Sequence, residues 1–296
     1  MKYKNVIDVR RDGTRRHIWL CADNYGMSPA VNVAIRDLVA RGRINATSVM
    51  VVAPSFDRSE AASLNILNAS ETRVAIGLHL TLTSPYQPLS SNFQPVYDGI
   101  FLSKRETARH AFLHLLRREV VEKEISSQLQ EFITAFGRLP DFIDGHLHVH
   151  LFPQIREALL RMVKDVAPNV WVRQCGRIGP LHKRVGDAKA IALDMLSSGF
   201  RRLANRYCVR VNPAFAGTYG FTKDADYAQI FPKFLRALPH GSVVMCHPGF
   251  VDAELQRLDP LTTLREREYF FLIDDAFPSL LDTHGLTLLP LPSTYS

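Results

Sequence analysis

The sequence predicts an α/β fold: a distorted β/α (TIM-like) barrel of seven or eight mainly parallel strands, in a single domain. Three observations carry this. Short apolar segments alternate with helical patterns, which implies a mainly parallel sheet with helical crossovers. Seven or eight such segments over 296 residues favour a closed or nearly closed barrel over an open doubly wound sheet. No GxGxxG follows the first strand, which argues against a dinucleotide-binding sheet. No internal repeat, low-complexity tract or linker divides the chain. Residues 1–16 read as a basic tail and residues 17–296 as one domain.

The first strand is expected at Ile18–Ala22, followed by the turn-like cluster Asp23-Asn24-Tyr25-Gly26. A helix follows, with Ser28 as cap, Pro29 at the first helical position and Val31, Ala34, Ile35, Leu38 and Val39 on one face, stopping at Gly42. A second strand fits Ser48–Ala53 and a third Val74–Leu82. In the third, one face is apolar and the other carries Ala75, Gly77, His79 and Thr81, as suits a barrel strand with helices outside and a site inside. Residues 83–103, rich in Pro, Ser and Asn, read as a long loop of the kind that often shapes a site. Helical patterns follow from about Arg105 and through Ile125–Phe136, ending at Gly137 and Pro140. A short strand begins at Phe142–Ile143 and runs into Asp144-Gly145-His146-Leu147-His148-Val149-His150. Pro153–Val166 reads as a helix. Val170–Arg173, Ala190–Leu193, Cys208–Asn212 and Ser242–Cys246 are strand candidates. Thr262–Leu281 reads as one closing helix and Leu286–Leu289 as a final strand.

Composition removes several classes. A hydrophobic fraction of 46% with 22% charged residues is that of a globular protein, and 16 Gly and 17 Pro are too few for a collagenous or disordered chain. The four cysteines contain no CxxC, against a disulfide scaffold or a structural zinc knot. No apolar run approaches a bilayer span, and no apolar leader follows the N-terminus, so the expected compartment is the cytoplasm. The formal charge of +7 concentrates in the first 16 residues and around Arg201, Arg202, Arg206 and Arg210. No helix-turn-helix, RNP or zinc-finger pattern accompanies either group, so solvated charge is expected rather than nucleic-acid binding or membrane insertion.

The chemistry-bearing residues fall at strand ends. Three of 11 histidines, His146, His148 and His150, lie within five residues. On an extended backbone they would share a face with Asp144, a poor core and a good metal or acid–base site. One strand cannot aim all three at one ion, so orientation or hydrogen bonding is the other role open to His148 and His150. Asp23 and Asn24 end the first strand. Both can serve one site only if the chain bends there; otherwise either one merely caps the next helix. His79 stands alone on the polar face of its strand. His247, before Pro248-Gly249, ends the strand at Ser242–Cys246. Arg173 can pair with a carboxylate or hold a substrate. In a barrel these ends converge at one mouth.

These residues resemble one family. Asp23-Asn24-Tyr25-Gly26 is similar to the ADDFG motif of the YdjC-like carbohydrate deacetylases, which include chitooligosaccharide deacetylases. Gly77-Leu78-His79 resembles their G(L/M)H, Asp144 to His150 with Phe152-Pro153-Gln154-Ile155 their DSHxHxH…FPQI, and Cys246-His247-Pro248-Gly249-Phe250 their CHPxF, over roughly residues 17–291. The resemblance implies a barrel holding one divalent metal (zinc or magnesium, with manganese, cobalt or nickel as further choices) that removes acetyl groups from N-acetylated mono- or oligosaccharides. It implies Asn24, His79 and His146 as metal ligands, Asp23 as base and His247 as candidate acid; Arg173 toward substrate, and Asp144, His148 and His150 in support, are read from the residues themselves. A homodimer is also compatible with it. Asn24 departs from the family, which has a metal-binding Asp there; Gly145 for Ser reads as a minor departure. The Asn24 departure leaves three outcomes open: Asn24 ligates through its neutral oxygen with a weaker or different metal preference, Asp23 becomes the ligand and leaves the base role vacant, or the chain is a catalytically impaired sugar-binding protein on the same scaffold. A different metal-dependent hydrolase, such as a phosphoesterase, is the other alternative.

Overall fold

A computed structural model describes residues 15–68, 74–177 and 188–289. The first half runs β1 (Arg16–Tyr25), α1 (Pro29–Ala40), β2 (Ala46–Val49), α2 (Arg58–Asn68), β3 (Ala75–Leu80), the hairpin β4 (Val96–Tyr97) and β5 (Ile100–Phe101), α3 (Lys104–Phe112) and α4 (Arg118–Phe136). Then come β6 (Phe142–Gly145), a 3-10 segment at His146–Leu151, α5 (Ile155–Val166), β7 (Trp171–Val172), α6 (Ala188–Tyr207), β8 (Phe215–Ala216), α7 (Tyr227–Phe234), β9 (Ser242–Cys246), α8 (Ala253–Leu258), α9 (Thr263–Ile273), α10 (Ala276–Thr283) and β10 (Leu286–Leu288).

The strands follow the order β7-β6-β3-β2-β1-β9-β8, every pairing parallel. β3, β6 and β9 are buried along their whole length, as expected of a parallel sheet covered on both faces. The two ends of the path meet. Val172 donates to the Arg210 carbonyl at 2.9 Å and Phe215 to the Gly176 carbonyl at 3.1 Å. Among the described residues few backbone bonds close the β7–β8 side, and the barrel is distorted there.

β10 pairs with β1 at Arg16–Ile18 on the edge that β2 takes from Cys21 onward. Asn45 fills the gap between them: its Oδ1 accepts from Leu20 N at 2.7 Å, and its Nδ2 donates to the Ile18 and Leu289 carbonyls at 2.9 and 3.0 Å. The helix after β1 starts as expected, with Ser28 accepting from Val31 N and Pro29 in the first turn. The 83–103 segment is anchored rather than open: Leu89 N, Ser90 N and Ser90 Oγ donate to the buried Glu124, which Gln128 Nε2 in turn meets at 2.8 Å.

Several expected elements differ. Ala190–Leu193 is helical, part of α6; a short apolar run does not distinguish strand from buried helix. In Cys208–Asn212 only Val211 forms a bridge, to Val172, and regular pairing resumes at Phe215, beyond Pro213, which has no N–H to donate. The closing helix is two helices. Asp274 is extended (φ −57°, ψ 140°), and Pro278 suits the first turn of a new helix, α10. Residues 1–14 of the basic tail lie outside the described residues. Arg15 pairs with Asp282, while Arg16 opens β1 and donates to the Leu238 and His284 carbonyls. Among the described residues, no helix is long and apolar enough to cross a membrane.

Candidate active site

The C-terminal ends of β1, β3, β6, β7 and β9 converge. At the end of β1 strict alternation would separate Asp23 from Asn24. The pairing with β2 slips between Ala22 and Tyr25, and Asn24 adopts φ 76°, a left-handed conformation that Asn tolerates better than most residues. The bulge turns both side chains inward, each only 2% exposed. The bend therefore falls at Asn24 itself.

Arg173, from the end of β7, lies under this bulge and is 1% exposed. Its Nη1 and Nη2 each donate to one Asp23 oxygen at 2.7 Å, and Nη2 also meets Asp144 Oδ2 at 2.6 Å. Phe142 and Phe215 place their rings against the guanidinium. Burial opposes ionisation of Asp23, but the Arg173 charge outweighs it and holds this carboxyl well below the usual carboxylate range. Of the two roles open to Arg173 from sequence, the structure shows carboxylate pairing; the side chain is buried rather than facing substrate. Cys21, Asp23 and Asp144 also bring potential ligand atoms within 4.8 Å of one another. The guanidinium already binds both carboxylates there, and burial pushes the Cys21 thiol far from ionising, so this group does not suit an added cation.

His79, from β3, places Nδ1 at 2.6 Å from Asp144 Oδ1, with Ser48 Oγ at 3.0 Å. Its Nε2 lies 3.2 Å from Asn24 Nδ2, and His146 Nδ1 lies 3.1 Å from the same nitrogen. Hydrogen-bond logic fixes the protons. Arg265, on α9, can only donate, and its Nη2 meets the other branch of the Asn24 amide at 2.9 Å, so that branch is Oδ1. The branch facing the imidazoles is then the NH2 group, which also only donates. His79 Nε2 and His146 Nδ1 must both accept. The His79 proton sits on Nδ1, where Asp144 receives it. His146 agrees: burial, then the neighbouring His79, push it down to about 3.

The expected face shared by His146, His148 and His150 does not form. β6 ends at Gly145, and Leu147 and His148 take φ 53° and 62°, which sends the three rings in different directions. His146 reaches Asn24. His148 lies 3.5 Å from Cys175 Sγ and edge-on to Phe215. His150 Nε2 donates to the Arg173 carbonyl at 2.9 Å. Gly145 is tied to this arrangement, because an added Cβ would lie 2.7 Å from His150 Nδ1. His247, after β9, packs edge-on to Phe221, and its backbone N–H donates to Glu268 Oε2 at 2.5 Å. Burial, then the Arg265 charge, push its imidazole down to about 4. Burial pushes Glu268 up to about 7.

Sequence reasoning missed Ser48, Asp259, Arg265 and Glu268. Arg265 is 1% exposed and pairs with Asp259 Oδ2 at 2.6 Å. The signal was in α9: Arg265 and Glu268 fall on the stripe of Leu264, Tyr269 and Leu272, so the face turned inward carries two charges.

The model of the YdjC-like protein family matches residues 17–283. A structure from Enterococcus faecalis V583, provisionally named a cellobiose-phosphate cleavage protein, superposes with a TM-score of 0.71 at 22% identity, over 93% of this chain and 97% of that one. A family 4 carbohydrate esterase from Streptomyces lividans, in complex with acetate, aligns over 93% of each chain at 10% identity with a TM-score of 0.43. A family 4 acetyl xylan esterase from Clostridium thermocellum, in complex with a cobalt ion, aligns over 93% of this chain and 87% of that one at 12% identity, TM-score 0.44. The two esterases are too distant to carry an argument, and the first structure shows a shared fold. The family match spans nearly all of the barrel and every strand end that contributes to the site, and on it the chain belongs to the YdjC-like protein family.

Proposed function

We propose that this protein hydrolyses the acetamido group of N-acetylated mono- or oligosaccharides, releasing acetate. Its family membership and a relative named for a saccharide substrate support a carbohydrate. The observation that carries the reading is the pair of imidazole lone pairs, His79 Nε2 and His146 Nδ1, directed at one point beside the ionised Asp23.

The donor set suits a divalent ion. Two imidazoles accept at one point, and one is oriented by a carboxylate behind it, as ligating histidines commonly are. His79 and His146 would hold the ion, which when bound supplies Lewis-acid polarisation of the acetyl carbonyl and a lowered pKa for the attacking water. Two nitrogen ligands suit zinc, manganese, cobalt or nickel better than magnesium. Asn24 would contribute a neutral carbonyl oxygen only after turning its amide. Asp23 stays ionised across the neutral range. The Arg173 clamp fixes the direction of both its oxygens, so it can orient water and accept a proton as the water attacks. His247 is neutral at pH 7, so instead of acting as an acid it can donate a ring N–H hydrogen bond to the oxyanion, and the departing amine can take the proton that Asp23 accepts from the water. Asp144 keeps His79 in the required tautomer, and His150 fixes the backbone of Arg173.

The test is acetate release from a panel of N-acetylated sugars by metal-stripped protein, with zinc, magnesium, manganese, cobalt or nickel restored in turn. Metal-dependent release, lost in His79→Ala and His146→Ala, is expected. No release with any metal, from protein with an intact thermal transition, overturns the reading. Binding of the sugars without release would then favour a sugar-binding protein, the reading that Asn24 keeps open.

A further inference from the structure

We propose that Arg265 holds Asn24 as an internal plug, its NH2 group turned toward the ion-holding histidines, so that this chain binds a divalent ion only by turning or displacing that side chain. The inference rests on the assignment of His79 and His146 as the ion-holding pair. The Asn24 NH2 group lies 3.2 Å from His79 Nε2 and 3.1 Å from His146 Nδ1, giving a proton to each lone pair an ion would use. Such a donor partly does the work of a cation: it satisfies two buried acceptors that would otherwise be costly to leave unpaired.

Arg265 makes this orientation hard to reverse. Its Nη2 donates to Asn24 Oδ1 at 2.9 Å, and the guanidinium is itself anchored by Asp259 at 2.6 Å and by the Leu261 carbonyl at 3.1 Å. To ligate through oxygen, Asn24 must turn its amide over. That would set an NH2 group against a guanidinium, two donors facing each other, and would break a charge-assisted hydrogen bond. Among the described residues, the three aspartates beside this pair are already held by arginines. Asp23 and Asp144 are both bound by Arg173, and Asp259 by Arg265. Arg265 is therefore a positioning residue: it acts on the ion site through the direction in which it holds Asn24.

The plug and a weak native ligand predict opposite outcomes when Asn24 is removed. Glycine accepts the φ of 76° at this position without strain, so Asn24→Gly deletes the amide while sparing the bulge. Zinc binding is measured by titration calorimetry on the native protein, Asn24→Gly and Asn24→Asp, each checked for its thermal transition. The plug predicts that Asn24→Gly binds zinc about tenfold to a hundredfold more tightly than the native chain, the worth of the displaced hydrogen bonds. Equal or weaker binding by Asn24→Gly, with tight binding by Asn24→Asp, overturns the plug and leaves His79 and His146 as the ion site. Absence of zinc binding in all three proteins removes the ion site, and the plug with it. A measurement on the unaltered chain covers the case in which Asn24→Gly does not fold. Solvent exchange of the Asn24 side-chain amide protons, followed by NMR, is expected to be slow without zinc and fast at saturation. Slow exchange that persists at saturating zinc overturns the plug.

Discussion

Replacing Arg173 by Met tests the buried electrostatic centre of this barrel. The side chain is 1% exposed and holds two carboxylates, Asp23 at 2.7 Å through two bonds and Asp144 at 2.6 Å. Met has a similar reach but no charge, so the variant leaves two buried carboxylates without their cation. Breaking a buried pair from one side costs about 3–5 kcal/mol at pH 7. At roughly 2–3 °C per kcal/mol for a chain of this size, the melting temperature falls by about 6–15 °C. The pH dependence separates this mechanism from lost packing. In the native protein the Asp23 pKa is depressed. Its contribution is present above the unfolded value of 3.8 and is lost only as pH falls through the lower folded value, so it is flat between pH 5 and 7. In the variant, burial, the largest influence on Asp23, has lost its main opponent, and the folded pKa is expected to lie above the unfolded one. The folded state then binds the extra proton, and stability falls as pH rises. The deficit relative to the native protein is thus expected to be larger at pH 7 than at pH 5. Contributions unchanged by the substitution cancel in that comparison. Urea unfolding of both proteins at the two pH values measures it. A deficit absent at pH 7, or larger at pH 5, refutes the reasoning.

Two further substitutions address neighbouring features. Gly145→Ala places a methyl 2.7 Å from His150 Nδ1, so His150 must move and its bond to the Arg173 carbonyl weakens; a loss of about 1–3 kcal/mol is expected by urea unfolding. Unchanged stability would show that the ring yields freely. Glu268 is raised by burial from 4.5 to about 7, so the stability tied to its protonated form is fully present below pH 4.5 and lost as pH rises through 7. That loss amounts to up to about 3 kcal/mol, and Glu268→Gln should flatten the stability profile between pH 4.5 and 8. A profile as steep as the native one would place the titration elsewhere.

The alternation of β and α units up to β3, the cap and first turn of α1, and β9 at Ser242–Cys246 were legible in the sequence because each rests on local chemistry, whereas the helical state of Ala190–Leu193 and the place of β8 were not. The same is true of the placement of Asp23, Asn24, His79, Asp144, His146, Arg173 and His247 at strand ends, since parallel strands bring their C-terminal ends to one mouth. Where these side chains point was decided only in three dimensions. The bulge at Asn24 depends on its register against β2, and the left-handed residues at Leu147 and His148 break the alternation that an extended chain would have imposed on the three histidines. The roles of Arg173 and Asn24 were set by partners 150 and 241 residues away in the chain, Asp23 and Arg265. Charge and hydrogen-bond direction act through space, so only the tertiary structure could make Arg173 a clamp and turn the nitrogen of Asn24, rather than its oxygen, toward the histidines.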